Sequence, residues 1–292
     1  MRVAEVQVKV ISVANQKGGV AKTTLSVNIA SAFALAGQKT LLIDTDPQGG
    51  ASDSLGYQAH KDSTLTLANW YRNPEPLQAH RHIFETRQEN LSLVPNTLDA
   101  MEAAIAISRD PTPSTFIQRF LRCNSIKDSF DTVIIDTPPN LDVHFNNAVM
   151  ASDFVMIPIT PELKSVRGIM NLQESLEKLA QASSMRILGI TLTKVQSSLN
   201  THKRVIEFVR STYGDLVFNT TIAQSKHYPE TDEQSGISVL MHAADSKASG
   251  EIASLFEEIT SRMNEVGAGR RAKPKLWDGK VKRAYDALVE SM

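Results

Sequence analysis

The chain has 292 residues, of which 41% are hydrophobic, with 31 basic and 32 acidic side chains. This length and composition suit one α/β domain with a large buried core. The net charge of −1 confines any nucleic-acid-binding surface to a local basic cluster. The single cysteine, Cys123, excludes a disulfide framework and cysteine-based zinc or iron–sulfur sites of the usual ligand number. We expect Cys123 to be a partly buried helix residue.

Short apolar, β-branched segments alternate along the chain with longer segments of helical periodicity. The predicted strands are residues 8–14, 40–44, 132–136, 154–159, 187–193 and 217–222. The predicted helices are residues 24–36, 163–181, 201–211 and 247–266. This alternation predicts an α/β fold with a mostly parallel twisted sheet and helices on both faces.

The region 57–90 has no clear period, and we interpret it as helices and loops that cover one edge of the sheet. It contains three histidines, His60, His80 and His82. No close pair among them has the i,i+4 spacing of a helical metal site, which favours a solvated loop over a metal centre.

The last part of the chain differs in composition. A basic stretch with Gly and Pro follows residue 266, which indicates a linker before a short helix. That helix would carry Val281, Ala284, Tyr285 and Leu288 on one face. We therefore divide the chain into a main domain, 1–266, and a tail, 267–292.

A glycine-rich segment joins the first predicted strand to the first predicted helix. It reads Lys17-Gly18-Gly19-Val20-Ala21-Lys22-Thr23-Thr24. Glycines let backbone N–H groups approach phosphate oxygens, and the helix N-terminus adds partial positive charge. Lys22 would neutralise phosphate charge and Thr23 would ligate Mg²⁺. The strict pattern G-x-x-x-x-G-K-[ST] is nevertheless missed, because Gln16 and Ala21 occupy its two glycine positions.

Carboxylates follow two of the predicted strands. Asp44 and Asp46 end one strand, and Asp136 ends another. The carboxyl ends of parallel strands are where α/β folds bind ligands, and carboxylates there would hold Mg²⁺ through water. The sequence therefore predicts a site for a nucleotide with magnesium at this edge.

The lysine pattern of the loop, with the acidic segments in this order, resembles the deviant Walker A loop of the ParA/MinD ATPases. The similarity covers roughly residues 9–265 and includes Ile157-Pro158-Ile159-Thr160-Pro161-Glu162. With no helix-turn-helix before the loop, the sequence is most similar to the short ParA-type partition proteins.

The resemblance implies residue roles. Lys17 would be the signature lysine, which reaches the partner's nucleotide across an ATP-sandwich dimer. Asp46 would orient the hydrolytic water, and the turn 137–140 would sense the γ-phosphate. The implied catalytic residues are Lys17, Lys22 and Asp46; the nucleotide-binding residues are Lys17, Gly18, Gly19, Val20, Ala21, Lys22, Thr23 and Thr24; the metal-binding residues are Thr23, Asp44 and Asp136.

The resemblance also implies partners. It predicts a homodimer with ATP and Mg²⁺, non-specific DNA binding on the nucleoid, and a separate adaptor protein that stimulates a weak ATPase. The predicted DNA-binding residues are Lys194, Lys203, Arg204, Arg210 and Lys226. Further basic residues lie in the linker, at Arg270, Arg271, Lys273 and Lys275.

The sequence argues against two other classes of protein. A MinD-like membrane switch would need a C-terminal amphipathic helix, but the apolar face of the tail helix is small and its charge is diluted by Asp286 and Glu290. An iron–sulfur reductase is disfavoured because Cys123 stands alone. The sequence also shows neither a signal peptide nor the roughly 18 consecutive apolar residues of a membrane span, so we expect a cytoplasmic protein.

Two departures from the family pattern bear on activity. Ala21 replaces a glycine; it would cost about 1 kcal/mol if its φ is positive and little if its backbone is helical. The segment 223–230 replaces the loop that the family uses on the adenine side. These departures leave the hydrolysis rate and the adenine contacts open.

Overall fold

The computed structural model describes residues 8–58, 64–228, 237–267 and 279–291. The strands are β1 (Lys9–Val13), β2 (Thr40–Asp44), β3 (Phe84–Glu85), β4 (Leu91–Val94), β5 (Thr132–Asp136), β6 (Phe154–Ile159), β7 (Arg186–Val195) and β8 (Val217–Ala223). The helices are α1 (Lys22–Leu35), α2 (Gly50–Ser54), α3 (Leu67–Arg72), α4 (Asp99–Ile107), α5 (Phe116–Leu121), α6 (Asn124–Lys127), α7 (Val143–Met150), α8 (Leu163–Ala180), α9 (Asn200–Tyr213), α10 (Val239–His242), α11 (Lys247–Gly267) and α12 (Gly279–Ser291). Two 3₁₀ helices cover Pro76–His82 and Gly214–Leu216.

The strands form one eight-stranded sheet in the order β3-β4-β2-β5-β1-β6-β7-β8. All neighbours are parallel except β3, which pairs antiparallel with β4 at the edge. The predicted α/β fold is therefore confirmed. Each predicted strand and helix ends within two residues of the observed bounds.

Strand β4 was not predicted from the sequence, although it pairs with β2 along its whole length. It has only four residues, Leu91–Val94, all of them buried. A run this short is too brief to show a period. The preceding region, read as helices and loops, does contain α3 and a 3₁₀ helix, but it also supplies the edge strand β3.

Alternate strand residues point to opposite faces, and each face is covered by its own helices. Ile134 packs in one cluster with α1 and α11, whereas Val133 and Ile135 pack in another with α3, α4 and α5. A third cluster joins β6 and β7 to α7, α8 and α9. Helix α1 is buried on nearly all sides, and its small residues allow close packing between sheet and helix. It ends before Gly37, which has the left-handed φ of 83° expected of a C′ glycine.

Helix α12 packs on the body of the domain. Val281 is buried in the cluster formed by α8 and α9, and Tyr285 and Leu288 lie partly buried against it. Ala284, predicted for the same face, is exposed. The linker cations at 270–275 fall outside the described residues. In the part of the chain that the structure describes, every helix is too short or too polar to cross a membrane.

Cys123 is buried, but it lies in the bend between α5 and α6 rather than within a helix. Its thiol donates to the carbonyl of Arg119, at 3.2 Å. His80 and His82 lie in the first 3₁₀ helix, where the His82 ring approaches Trp70 at 6.0 Å between centroids; His60 falls outside the described residues. Of these histidines, His82 packs at the edge of the sheet, and His80 is exposed.

Candidate active site

A cavity of about 280 Å³ opens at the carboxyl edge of the sheet, where β1, β2 and β5 end. Parallel pairing places Asp44 of β2 directly beside Asp136 of β5, and Val13 of β1 on its other side. The cavity is lined by Gly18, Gly19, Ala21, Lys22, Thr23, Thr24, Val27, Asn28, Asp46, Gly50, Ser54, Pro139, Lys194, Ile237, Ser238 and Val239. The sheet thus brings the glycine-rich loop and the acidic strand ends to one site.

The loop takes a conformation with two left-handed residues. Gly19 has φ 74° and Ala21 has φ 66° and ψ 32°. Ala21 is also the residue at which α1 begins, since the amide of Leu25 donates to its carbonyl at 3.0 Å. The structure therefore decides between the two readings of Ala21: the position needs a positive φ, and its methyl group carries a strain of about 1 kcal/mol.

Lys22 is buried at the first turn of α1. Its ammonium donates to the carbonyl of Lys17 at 3.2 Å. Burial lowers the pKa of Lys22, and the charges of Asp136 and Asp46 oppose that shift. A lysine that lines the cavity at the start of a helix is suited to bind an anionic phosphate chain.

Asp136 is fully buried and holds the start of α1. Its two oxygens accept hydrogen bonds from Thr23 Oγ1, at 2.8 Å, and from Ser26 Oγ, at 2.9 Å. Burial raises the pKa of Asp136 to about 6, although these two hydrogen bonds and Lys22 act in the opposite direction. The contact of Ser26 with Asp136 was not predicted from the sequence. The one feature that could have indicated it is that Ser26 lies one helical turn after Thr23.

Asp44 is fully buried beside Asp136, and the pKa of this carboxyl is raised well above its usual value by burial and by Asp136. Its Oδ2 accepts from both the amide and the hydroxyl of Ser52, at 2.9 and 2.7 Å. Ser52 was also missed, since nothing in its local sequence marks it. Two buried carboxylates whose charges repel are a fitting environment for a divalent cation, whose charge would keep both ionised.

This donor set fits Mg²⁺. Thr23, Asp44 and Asp136 would hold the ion, directly or through water, together with phosphate oxygens. Within the described ranges the structure contains no group of three or more His, Cys, Asp or Glu side chains that could hold a metal by themselves.

Asp46 lies at the wall of the cavity and remains partly exposed. Its amide donates to Asp44 Oδ1 at 3.1 Å, and its own Oδ1 accepts from the amide of Gln48 at 3.0 Å. The carboxylate thus has a defined position next to the phosphate loop and access to solvent. The turn 137–140 begins nearby: Thr137 Oγ1 donates to the carbonyl of Val13 at 2.8 Å, and Pro139 lines the cavity.

Lys17 does not line the cavity, although the polar and charged loop residues Lys22, Thr23 and Thr24 do. Its ammonium lies 2.6 Å from Glu162 Oε2 and 2.7 Å from Ser165 Oγ, at the start of α8. The hydrogen bond from Lys17 lowers the pKa of Glu162. The Lys17 side chain therefore lies against the start of α8 in its own chain and points away from the cavity.

Lys194 was predicted to contact DNA, but the structure places it in the wall of the cavity. It has a left-handed φ of 51° at the end of β7. The preceding Thr193 donates through Oγ1 to the carbonyls of Val20 and Ile159, both at 3.0 Å. The end of β7 is thereby tied to the phosphate loop, and the following lysine lies beside it.

The loop before α10 completes the cavity and was not predicted to do so. The amide of Val239 donates to Asn28 Oδ1 at 2.9 Å, and the hydroxyls of Ser31 and Ser238 lie 2.5 Å apart. This end of the cavity is distant in sequence from the phosphate loop, so only the fold brings them together. Of the altered segment 223–230, residues 229 and 230 fall outside the described residues.

The other predicted DNA-binding residues lie away from the cavity. Lys203 and Arg204 are exposed on α9, and Lys226 is exposed after β8. Arg210 is partly buried and donates to the carbonyl of Asn219 at 2.8 Å. Their assignment to a DNA-binding surface remains a prediction.

A strand, a glycine-rich loop with a buried lysine, and a helix that starts beside paired carboxylates define a P-loop nucleotide-binding protein. Comparison with known proteins agrees. Residues 8–218 match the family described as an AAA domain. The chain is 30% identical to the chromosome partitioning protein ParA of Myxococcus xanthus over 265 residues, which cover 90% of this chain and 92% of that protein.

Two further similarities fit the same class. The chromosome-partitioning ATPase Soj of Thermus thermophilus is 30% identical over 262 residues, 89% of this chain and 98% of that protein. The cobyrinic acid a,c-diamide synthase of Mycobacterium smegmatis, solved with an ATP analogue and magnesium, superposes with a TM-score of 0.73 at 27% identity, covering 92% of this chain and 99% of that one. The chain belongs to the ParA/MinD family of ATPases.

Proposed function

We propose that this ATPase is an ATP-driven dimerising switch. Two chains would associate around two ATP molecules, with Lys17 of each chain directed to the nucleotide of the other, and hydrolysis would separate them. The observation that supports this proposal is the position of Lys17, which belongs to the phosphate loop in sequence but lies outside the cavity that the loop forms. A lysine so placed is better suited to a second nucleotide than to its own.

Hydrolysis would depend on positioning and electrostatics rather than on a covalent nucleophile. Lys22 and the loop amides would bind the phosphates, and Thr23, Asp44 and Asp136 would hold the magnesium ion. The ion, when bound, neutralises charge on the β- and γ-phosphates. Asp46 would orient the attacking water, and Lys17 from the partner would stabilise the transferring charge, as an arginine finger does.

We further propose that the ATP-bound dimer binds DNA without sequence preference and uses this cycle to segregate or position a cargo on the nucleoid. The exposed cations of α9 support a phosphate-binding surface. Relatives named for chromosome partitioning support a segregation role. The cargo could be a plasmid, a chromosome or a protein cluster, and a separate adaptor would raise the ATPase rate.

A MinD-like membrane switch is the alternative, and the structure gives it less support. The large apolar side chains of α12 that would enter a membrane, Val281, Tyr285 and Leu288, pack against α8 and α9 instead. Membrane binding would first require α12 to leave this surface, at the cost of the contacts it buries.

The proposal is tested by titrating random-sequence duplex DNA with ATP, ADP or no nucleotide at one salt concentration, while the association state is followed by light scattering. We expect dimers and tighter DNA binding with ATP only. Equal DNA binding in all three states would refute the DNA function, and ATP-dependent sedimentation with anionic vesicles, lost on removal of 279–292, would favour the membrane alternative.

A further inference from the structure

Helix α12 forms a second layer on α9, beyond the residues 8–218 that match the family. The ring of Tyr285 lies 6.5 Å from the ring of Phe208 on α9, at an interplanar angle of 67°. Its hydroxyl donates to the carbonyl of Leu163, the first residue of α8, at 3.3 Å. These contacts, with buried Val281, determine which face of α12 points to the body.

The opposite face of α12 therefore points outward. Lys282 and Arg283 are exposed there, as Lys203 and Arg204 are on α9. In each helix the exposed acidic residues come later in sequence, at Glu207 on α9 and at Asp286 and Glu290 on α12. Positive charge is thus concentrated in the first half of both helices.

The Phe208–Tyr285 contact brings these two basic segments close together. Arg204 precedes Phe208 by four residues and Arg283 precedes Tyr285 by two, which places both within about one helical turn, 5.4 Å, of that contact. Packed helices lie roughly 8–10 Å apart. The two basic segments are therefore neighbours on the surface, and duplex DNA presents about one phosphate per 1.7 Å of its axis.

We propose that α9 and α12 together form one phosphate-binding surface, the α9–α12 basic face, defined by Lys203, Arg204, Lys282 and Arg283, and that it binds the backbone of duplex DNA. Charge complementarity supports this occupant, since the apolar side chains of α12 are used inside the protein. Among the described residues of α12, Val289 is the one large aliphatic side chain that is exposed. The inference rests on the proposed DNA function and adds to it a helix that the sequence had assigned no role in binding DNA.

The test is the double variant Lys282→Ala/Arg283→Ala, measured by fluorescence anisotropy on random-sequence duplex with ATP at several salt concentrations. Two lost phosphate contacts should reduce the slope of log K against log salt by about 1.8 and raise the Kd by about fivefold or more. A matched control, Arg109→Ala/Lys127→Ala, removes two exposed cations from the far half of the sheet and should leave both quantities unchanged.

The outcomes separate this inference from the function on which it rests. If Lys203→Ala/Arg204→Ala weakens DNA binding and the α12 variant does not, α12 takes no part and the DNA function stands. If the wild type gains no DNA affinity with ATP, the proposed function itself fails. If the α12 variant keeps DNA binding but loses sedimentation with phosphatidylglycerol vesicles, the surface is a lipid site and the inference is overturned. Unchanged thermal unfolding and ATP-dependent dimerisation of the variant show that its fold is intact.

Discussion

The ammonium of Lys17 lies 2.6 Å from the carboxylate of Glu162 in the same chain. Glu162 precedes α8, and Ser165 in the first turn of that helix provides the second close contact, at 2.7 Å. A lysine that acts on a partner's nucleotide must first leave both groups. The ion pair is therefore a cost that dimerisation must overcome, and it is partly exposed, so the cost is modest.

Glu162→Gln should strengthen ATP-dependent dimerisation, because it removes the charge that holds Lys17 in cis. An exposed ion pair contributes up to about 1 kcal/mol, and the dimer releases two such pairs, so the dimer Kd should fall by up to about 30-fold. Analytical ultracentrifugation with ATP would measure the dimer Kd. Both proteins would carry Asp46→Ala, which we expect to prevent hydrolysis during the measurement. A weaker dimer would instead show that Glu162 contributes to the partner interface.

Ala21→Gly should raise the free energy of unfolding by about 1 kcal/mol, because glycine adopts φ 66° without strain. The matched control is Ala36→Gly at the end of α1, where φ is −76° and glycine only adds freedom to the unfolded chain. Urea unfolding should therefore show opposite signs for the two variants. Destabilisation of both would mean that the loop carries no strain at Ala21.

Asp136→Asn should stabilise the nucleotide-free protein at neutral pH. The pKa of Asp136 is raised to about 6 in the fold, so the folded state binds the proton more tightly than the unfolded chain. The cost of the buried charge is absent below the unfolded pKa and grows as pH rises through the folded pKa of about 6, to about 3 kcal/mol at higher pH. The advantage of the variant over wild type in urea unfolding should thus appear as pH rises from 4 to 7, and an advantage independent of pH would contradict this explanation.

Asp46→Ala should keep ATP binding and dimerisation but stop turnover. The Asp46 carboxylate lies on the cavity wall, and the hydrogen bonds that define its position join it to Asp44 and Gln48 rather than to the loop lysines. Phosphate release and fluorescent-nucleotide binding, measured on one sample, separate the two properties. Wild-type turnover by this variant would remove Asp46 from the mechanism.

Lys194→Ala decides between a cavity and a surface role for that lysine. Because Lys194 lines the cavity, we expect ATP affinity to fall by about fivefold, the effect of one lost interaction of about 1 kcal/mol. DNA affinity at saturating ATP should not change. Lys22→Ala, which should abolish ATP binding, is the reference for a complete loss. If Lys194→Ala instead weakens DNA binding and leaves ATP affinity unchanged, Lys194 belongs to the DNA surface.

Much of this molecule follows from its sequence. The periodicity of β1, β2, β5, β6, α1 and α8 is local, and the order of loop and carboxylates is enough to predict a phosphate site at the carboxyl edge. Strand β4 was not predictable, since four residues show no period. The Ser52–Asp44 contact was not predictable either, because nothing in the local sequence marks that serine.

Lys17 and Ala21 illustrate the difference between what the sequence predicts and what only the tertiary structure reveals. The sequence by itself was enough to predict that the loop with two lysines binds phosphate, because residue type and spacing favour that chemistry. Only the tertiary structure decided that Ala21 is left-handed, that Lys17 pairs with Glu162, and that Lys194 faces the cavity. Each of these depends on backbone dihedrals or on contacts between residues more than 100 positions apart, and strand pairing alone brings such residues together.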